Sequence, residues 1–79
     1  MGIIIYMYYN DHLPPHFHAK SAEHEALIRI DTLAVLRGEL PKRESAYVLK
    51  WAKLHREELK NNWERARQGL PLLSIAPLE

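Results

Sequence analysis

Three of the five histidines in this 79-residue chain fall within Asp11-His12-Leu13-Pro14-Pro15-His16-Phe17-His18-Ala19, beside a carboxylate and a pair of prolines. Imidazole is the commonest metal ligand, and its ordinary titration range lets it move protons near neutrality. Asp11, His12, His16 and His18 could therefore hold a cation or act as an acid/base pair. They could also lock the loop, bonding to one another and to backbone carbonyls that the prolines leave without local partners. A further reading makes Asp11, His12, Pro14, Pro15, His16 and His18 a contact surface for another protein. A bare His-x-His is a weak metal signal. Zinc signatures of higher specificity bring two spaced ligand pairs or a His-Glu-x-x-His helix, and the chain has neither. The structural and partner-contact readings therefore weigh more than catalysis.

The flanking elements must position these side chains. Pro14 and Pro15 fix φ and turn the residue before each away from helix, so residues 10–15 form a stiff loop. A strand over 16–20 then projects His16 and His18 from one face, and Phe17 and Ala19 from the other. Residues 3–9, β-branched and aromatic, predict a first strand covered on both faces, with Tyr6 and Tyr8 on one side. Alternation over 24–30 predicts a hairpin partner, whose register decides whether His24 or Glu25 reaches the histidine face. Residues 33–37 follow as a further strand.

Pro41 opens a helix predicted over 41–68, since no proline or glycine interrupts it before Gly69. Val48, Trp51, Ala52, His55, Leu59, Asn62 and Trp63 form its buried stripe. His55 could thereby meet His16 and His18 and complete a ligand set, although a histidine bonded at the core edge is the preferred reading. Trp51 and Trp63 are core or interface anchors. The tail, residues 70–78, is too apolar for a free end, and is expected as an extra edge strand or docked on another subunit. The fold class is α+β: one domain over 1–79, a small antiparallel sheet of three to four strands packed against one long C-terminal helix.

Size and charge narrow the function. A chain of this length buries only roughly 60% of its unfolded surface. The absence of cysteine removes disulfides, thiol nucleophiles and thiolate-held zinc, leaving dimerisation as the common remedy. The net charge of +1 argues against a strong nucleic-acid binder. The eight basic side chains within residues 42–68 are usually a solvated helix face, and phosphate binding is the minority reading. Nothing at the start of the chain has the length or basic flank of a signal peptide or membrane span, so a cytoplasmic protein is expected.

The run Tyr8 to Ala19, with Gly38-Glu39-Leu40-Pro41, Trp51-Ala52-Lys53-Leu54-His55-Arg56-Glu57-Glu58-Leu59 and Asn62-Trp63, resembles the bacterial domain-of-unknown-function family numbered 4160. Its members share an Asp-His-x-Pro-Pro-His-Phe-His-Ala run followed by a Trp-containing helix ending in Asn-Trp, and the resemblance covers about residues 5 to 64. It implies a compact α+β unit, from a group often encoded beside a second small domain and discussed as toxin and antitoxin modules. It brings no established catalytic residues. Relatives commonly carry a longer leader, so an edge strand here is expected to be missing or supplied by the tail. The Asp31-Thr32 turn also lacks the expected glycine.

Together these readings favour a non-enzymatic, homodimeric interaction module without a cofactor, binding a small partner protein in a toxin-antitoxin-like pair. The first alternative is a ribonuclease-like hydrolase, with His16 and His18 as general acid and base, Asp11 orienting one ring, and Lys20 or Arg43 facing a phosphate. The second is a zinc or nickel site formed by His16, His18 and either His12 or His55, with Asp11 supporting the ligands.

Overall fold

The computed structural model describes residues 2–77. Four strands, β1 (Ile3–Tyr6), β2 (His16–Ser21), β3 (His24–Arg29) and β4 (Val35–Glu39), form an antiparallel sheet in the order β1-β2-β3-β4. Short connections join β2, β3 and β4, as antiparallel neighbours allow, while the longer proline loop over 7–15 returns the chain from β1 to β2. Pairing of His18 with Tyr6 and Leu27, and of Ala19 with Ile5 and Ala26, gives the sheet two distinct faces. Phe17, Ala19, Ala26 and Ile28 are buried on one, packed with Val48, Trp51, Leu59 and Trp63 of the helical layer. Burying a side chain such as Phe17 or Ile28 stabilises the fold by about 1.5–3 kcal/mol. His16, His18, Lys20, Glu25, Leu27 and Arg29 project from the other face, following the two-residue period of the strands.

One long helix over 41–68 is not what forms. The helical layer is two separate helices, α1 (Lys42–Leu54) and α2 (Arg56–Arg67), with Pro41 as the N-cap of α1. The break lies at His55, whose φ of −113° and ψ of 22° leave the helical region. Its N–H is shared between the carbonyls of Trp51 and Ala52, while its ring bonds Glu58 and packs on Trp51 at 5.2 Å. Buried positions nevertheless continue in threes and fours from Val48, Trp51 and Ala52 to Leu59, Asn62, Trp63 and Ala66, so periodicity reads the pair as one element. On either side of the break a tryptophan meets the sheet: Trp51 packs on Phe17 at 6.3 Å and Trp63 on His16 at 5.2 Å.

Smaller differences have local causes. β1 ends at Tyr6 rather than at residue 9, and the chain reaches Asn10 in a left-handed conformation with φ of 55°. Leu33 is spent in the turn after β3, where it takes the left-handed conformation that glycine would otherwise supply (φ 62°). Asp31 accepts the Thr32 N–H and pairs with Arg29, and the Thr32 hydroxyl accepts the Ala34 N–H, which fixes this turn. β4 therefore occupies Val35–Glu39, not 33–37, with an irregular register opposite Leu27 and Ile28. It runs through Gly38, where φ is 71° and a Cβ would collide with the Glu25 carbonyl.

Residues 70–77 do not add a strand. They lie across the helices without regular structure, held by side chains of α1 and α2. Leu78, the last residue of the predicted tail, lies outside the described residues.

Candidate metal centre

The proline loop folds back over the start of β2, bringing Asp11 onto the face that carries His16 and His18. One oxygen of Asp11, Oδ2, lies 3.0 Å from His16 Nε2 and 3.2 Å from His18 Nε2. The other, Oδ1, accepts the His12 N–H at 2.9 Å. The two imidazoles share a side of the strand, as their spacing requires.

The other nitrogen of His16 decides the chemistry. Nδ1 lies 2.7 Å from the Pro14 carbonyl, and a carbonyl only accepts, so Nδ1 carries the proton. In a neutral ring Nε2 then presents a lone pair toward a carboxylate oxygen. Two acceptors at that distance repel unless something positive stands between them, either a second ring proton or a metal ion. Metal-bound histidines commonly take this form, with one nitrogen on the ion and the other donating to a backbone carbonyl.

His18 differs. Its Nδ1 is buried without a hydrogen-bond partner and faces Glu25 Oε2 at 3.8 Å, too long for a hydrogen bond. Protonation at Nδ1 would direct that proton at Glu25 and free Nε2 as a ligand. Tyr6 stacks on the His18 ring at 4.8 Å and Tyr8 meets it edge-on at 4.9 Å, fixing its orientation.

The three donor atoms lie within 4.8 Å of one another. Donors about 2.1 Å from a common ion stand about 3.0–3.4 Å apart, a condition close to the two distances at Asp11 Oδ2. Two neutral imidazoles and a carboxylate suit zinc or nickel, and leave positions for further ligands. The His16 side chain is fully buried, while those of His18 and Asp11 retain 9% and 14% exposure, so access is from the Asp11 side. Burial acts to raise the Asp11 carboxyl. It is outweighed by the His18 hydrogen bond, the His12 N–H and the charges of His16 and His12, which hold the group below its ordinary value.

Of the remaining candidates, His12 adjoins the cluster and the others stand apart from it. His12 is exposed, with Nε2 3.7 Å from Asp11 Oδ1, and its ring stacks over His16 at 5.2 Å. His55 is engaged by Glu58 and Trp51 at the helix junction. Lys20 is exposed further along β2, Arg43 is exposed in the first turn of α1, and His24 is exposed at the β2–β3 turn. Pro14 and Pro15 are half-buried, and Leu13 is 62% exposed at the loop's tip. Trp63, read from the sequence only as an anchor, supplies one wall of the His16 pocket. Its place beside Asn62 on the stripe was visible, but which strand residue it covers was not.

These features define a small α+β domain with a two-histidine, one-carboxylate cluster, largely buried, on the sheet face opposite Phe17 and Ala19. The chain belongs to the family described as "Domain of unknown function (DUF4160)", whose family model matches residues 2–64. No curated protein and no solved structure matches it. Among the described residues, no helix is long and apolar enough to cross a membrane.

Proposed function

We propose that the protein is a metal-binding module, taking zinc or nickel through His16 Nε2, His18 Nε2 and Asp11 Oδ2. The observation that carries this reading is the convergence of both Nε2 atoms on one carboxylate oxygen, with His16 Nδ1 already donating to Pro14. Glu25, which faces His18 Nδ1 at 3.8 Å, is the carboxylate that would support that ring by closing on it. The same geometry speaks against independent acid and base roles. Both Nε2 atoms are turned inward on Asp11, and the buried His16 ring offers a substrate no free nitrogen.

Metal analysis tests the proposal. Protein purified without a histidine tag and dialysed against zinc should retain one ion per chain and melt higher, because an ion bound only by the native state stabilises it. Asp11→Asn and His18→Ala should remove both effects. A negligible metal content, with no change in melting on adding zinc or nickel, ends the reading.

A contact with a second copy or a small partner protein also has a specific support. β1 is an edge strand, and Ile4, Tyr8 and Tyr9 on or just beyond it are exposed, as is Leu13 at the loop tip. Unpaired strand edges flanked by apolar side chains invite pairing. Light scattering should then give a mass above that of the 9.3 kDa chain. Clean monomer at high concentration removes the homodimer.

A further inference from the structure

The three ligands of the proposed centre leave one side uncovered. The His16 side chain is sealed in, and those of His18 and Asp11 keep 9% and 14% of their surface, so an ion there would meet solvent past Asp11. His12 stands on that side. Its backbone N–H donates to Asp11 Oδ1 at 2.9 Å, which pins the residue beside the carboxylate and leaves Oδ2 to the two buried rings. The His12 side chain is 74% exposed, with Nε2 3.7 Å from Oδ1 and a long contact of 3.3 Å between Nδ1 and the Leu13 carbonyl. A ring so exposed turns readily about its side-chain bonds. One distance already suits a ligand. With a nitrogen about 2.1 Å from a tetrahedral ion and the ring centre about 1.1 Å behind it, two imidazoles on one ion have centres about 5.2 Å apart. His16 and His18 stand at 5.3 Å, and His12 and His16 at 5.2 Å. What His12 lacks is orientation: its ring lies over that of His16, at 30°, and a turn would bring a nitrogen to the ion.

We propose that His12 is the hinged fourth ligand of the centre, swinging in to close a shell of three imidazoles and one carboxylate over zinc. The proposal rests on Asp11, His16 and His18 holding the ion. Four protein ligands make a closed tetrahedral site, which zinc accepts without geometric cost and nickel, preferring square-planar surroundings, does not. The outermost ligand is also the one that a metal donor or chelator reaches first. The ion therefore enters and leaves by way of His12, while His16 stays fixed by the Pro14 carbonyl.

The test uses the full chain without a histidine tag and cobalt(II), which takes zinc sites and whose visible bands report coordination. The wild type should take one cobalt per chain and show the intense bands of a tetrahedral site. His12→Ala removes an exposed ring but keeps the N–H that holds Asp11, so the metal-free variant should unfold at the same urea concentration as the wild type. It should still bind one cobalt, at least about ten-fold more weakly, with fainter bands as solvent takes the vacated position. Free imidazole should restore the tetrahedral bands of the variant and leave those of the wild type unchanged. Equal affinity and equal bands in the two proteins would overturn the proposal, and so would imidazole altering the wild type as much as the variant. Either result would leave the three-residue centre intact. A wild type that takes up neither cobalt nor zinc would remove the centre itself, and the role of His12 with it.

Discussion

The indole of Trp63 lies 5.2 Å from the imidazole of His16, tilted by 50°, so helix α2 touches the candidate metal centre through that ring. Trp51 packs instead against Phe17 on the core side of the sheet. The chain's two tryptophans therefore report on different places.

Nickel binding should quench the emission of Trp63 and spare that of Trp51. A fluorescence titration checks this: quenching should persist in Trp51→Phe, vanish in Trp63→Phe, and vanish in His18→Ala although both indoles remain. Equal quenching of both tryptophans would place the ion elsewhere.

Replacing Asp11 by Asn should be costly even without metal. Without metal the contact of His16 Nε2 with Asp11 is attractive only when a second ring proton lies between them, and Asn removes the charge that favours that proton, a loss worth about 1–3 kcal/mol. Urea denaturation of the metal-free proteins measures it. In zinc titrations the same variant should lose at least about ten-fold in affinity. A change below a few tenths of a kcal/mol would mean that the cluster contributes nothing to folding.

Acid should act on the same carboxyl. Asp11 sits below its ordinary 3.8 in the folded state, so the unfolded chain takes up its proton first as the pH falls. A depressed carboxyl contributes stability that is present above its unfolded value and lost as the pH drops through its folded value. The urea midpoint of the wild type should therefore fall more steeply than that of Asp11→Asn below about pH 4. Zinc should dissociate at a higher pH than this, because protons compete for the two imidazole ligands. Parallel acid profiles for the two proteins would contradict the assignment.

The β2–β3 connection has two residues, Ala22 and Glu23, between the paired Ser21 and His24. Ala22 takes a φ of 53°, the left-handed value that a primed hairpin turn reserves for glycine at its first position. Ala22 is exposed, so Ala22→Gly should stabilise the protein by up to about 1 kcal/mol, with no effect on metal binding. Thermal melting decides this, and a lower melting temperature would contradict it.

Much of the sheet was legible because its signals are local. The alternation of His16, Phe17, His18 and Ala19 separated site face from core face, and it depends only on strand period. The helix break at His55 was not legible. It arises without proline or glycine, at a residue whose ring bonds Glu58 across the break. Asn62 left a partial clue, since a polar residue on a buried stripe must bond something, yet only packing showed that its partner is the backbone of Leu73.

By itself the sequence determined that two imidazoles stand on one side of a strand, that a stiff proline loop carries a carboxylate able to fold back on them, and that a helical layer covers the sheet. Tertiary structure alone decided that Asp11 gives both rings the same oxygen, that Pro14 sets the His16 tautomer, and that His55 is occupied elsewhere. The reason is range. Backbone period and proline geometry act over a few residues, whereas a ligand set is fixed by how loop, strand and helix close on one another.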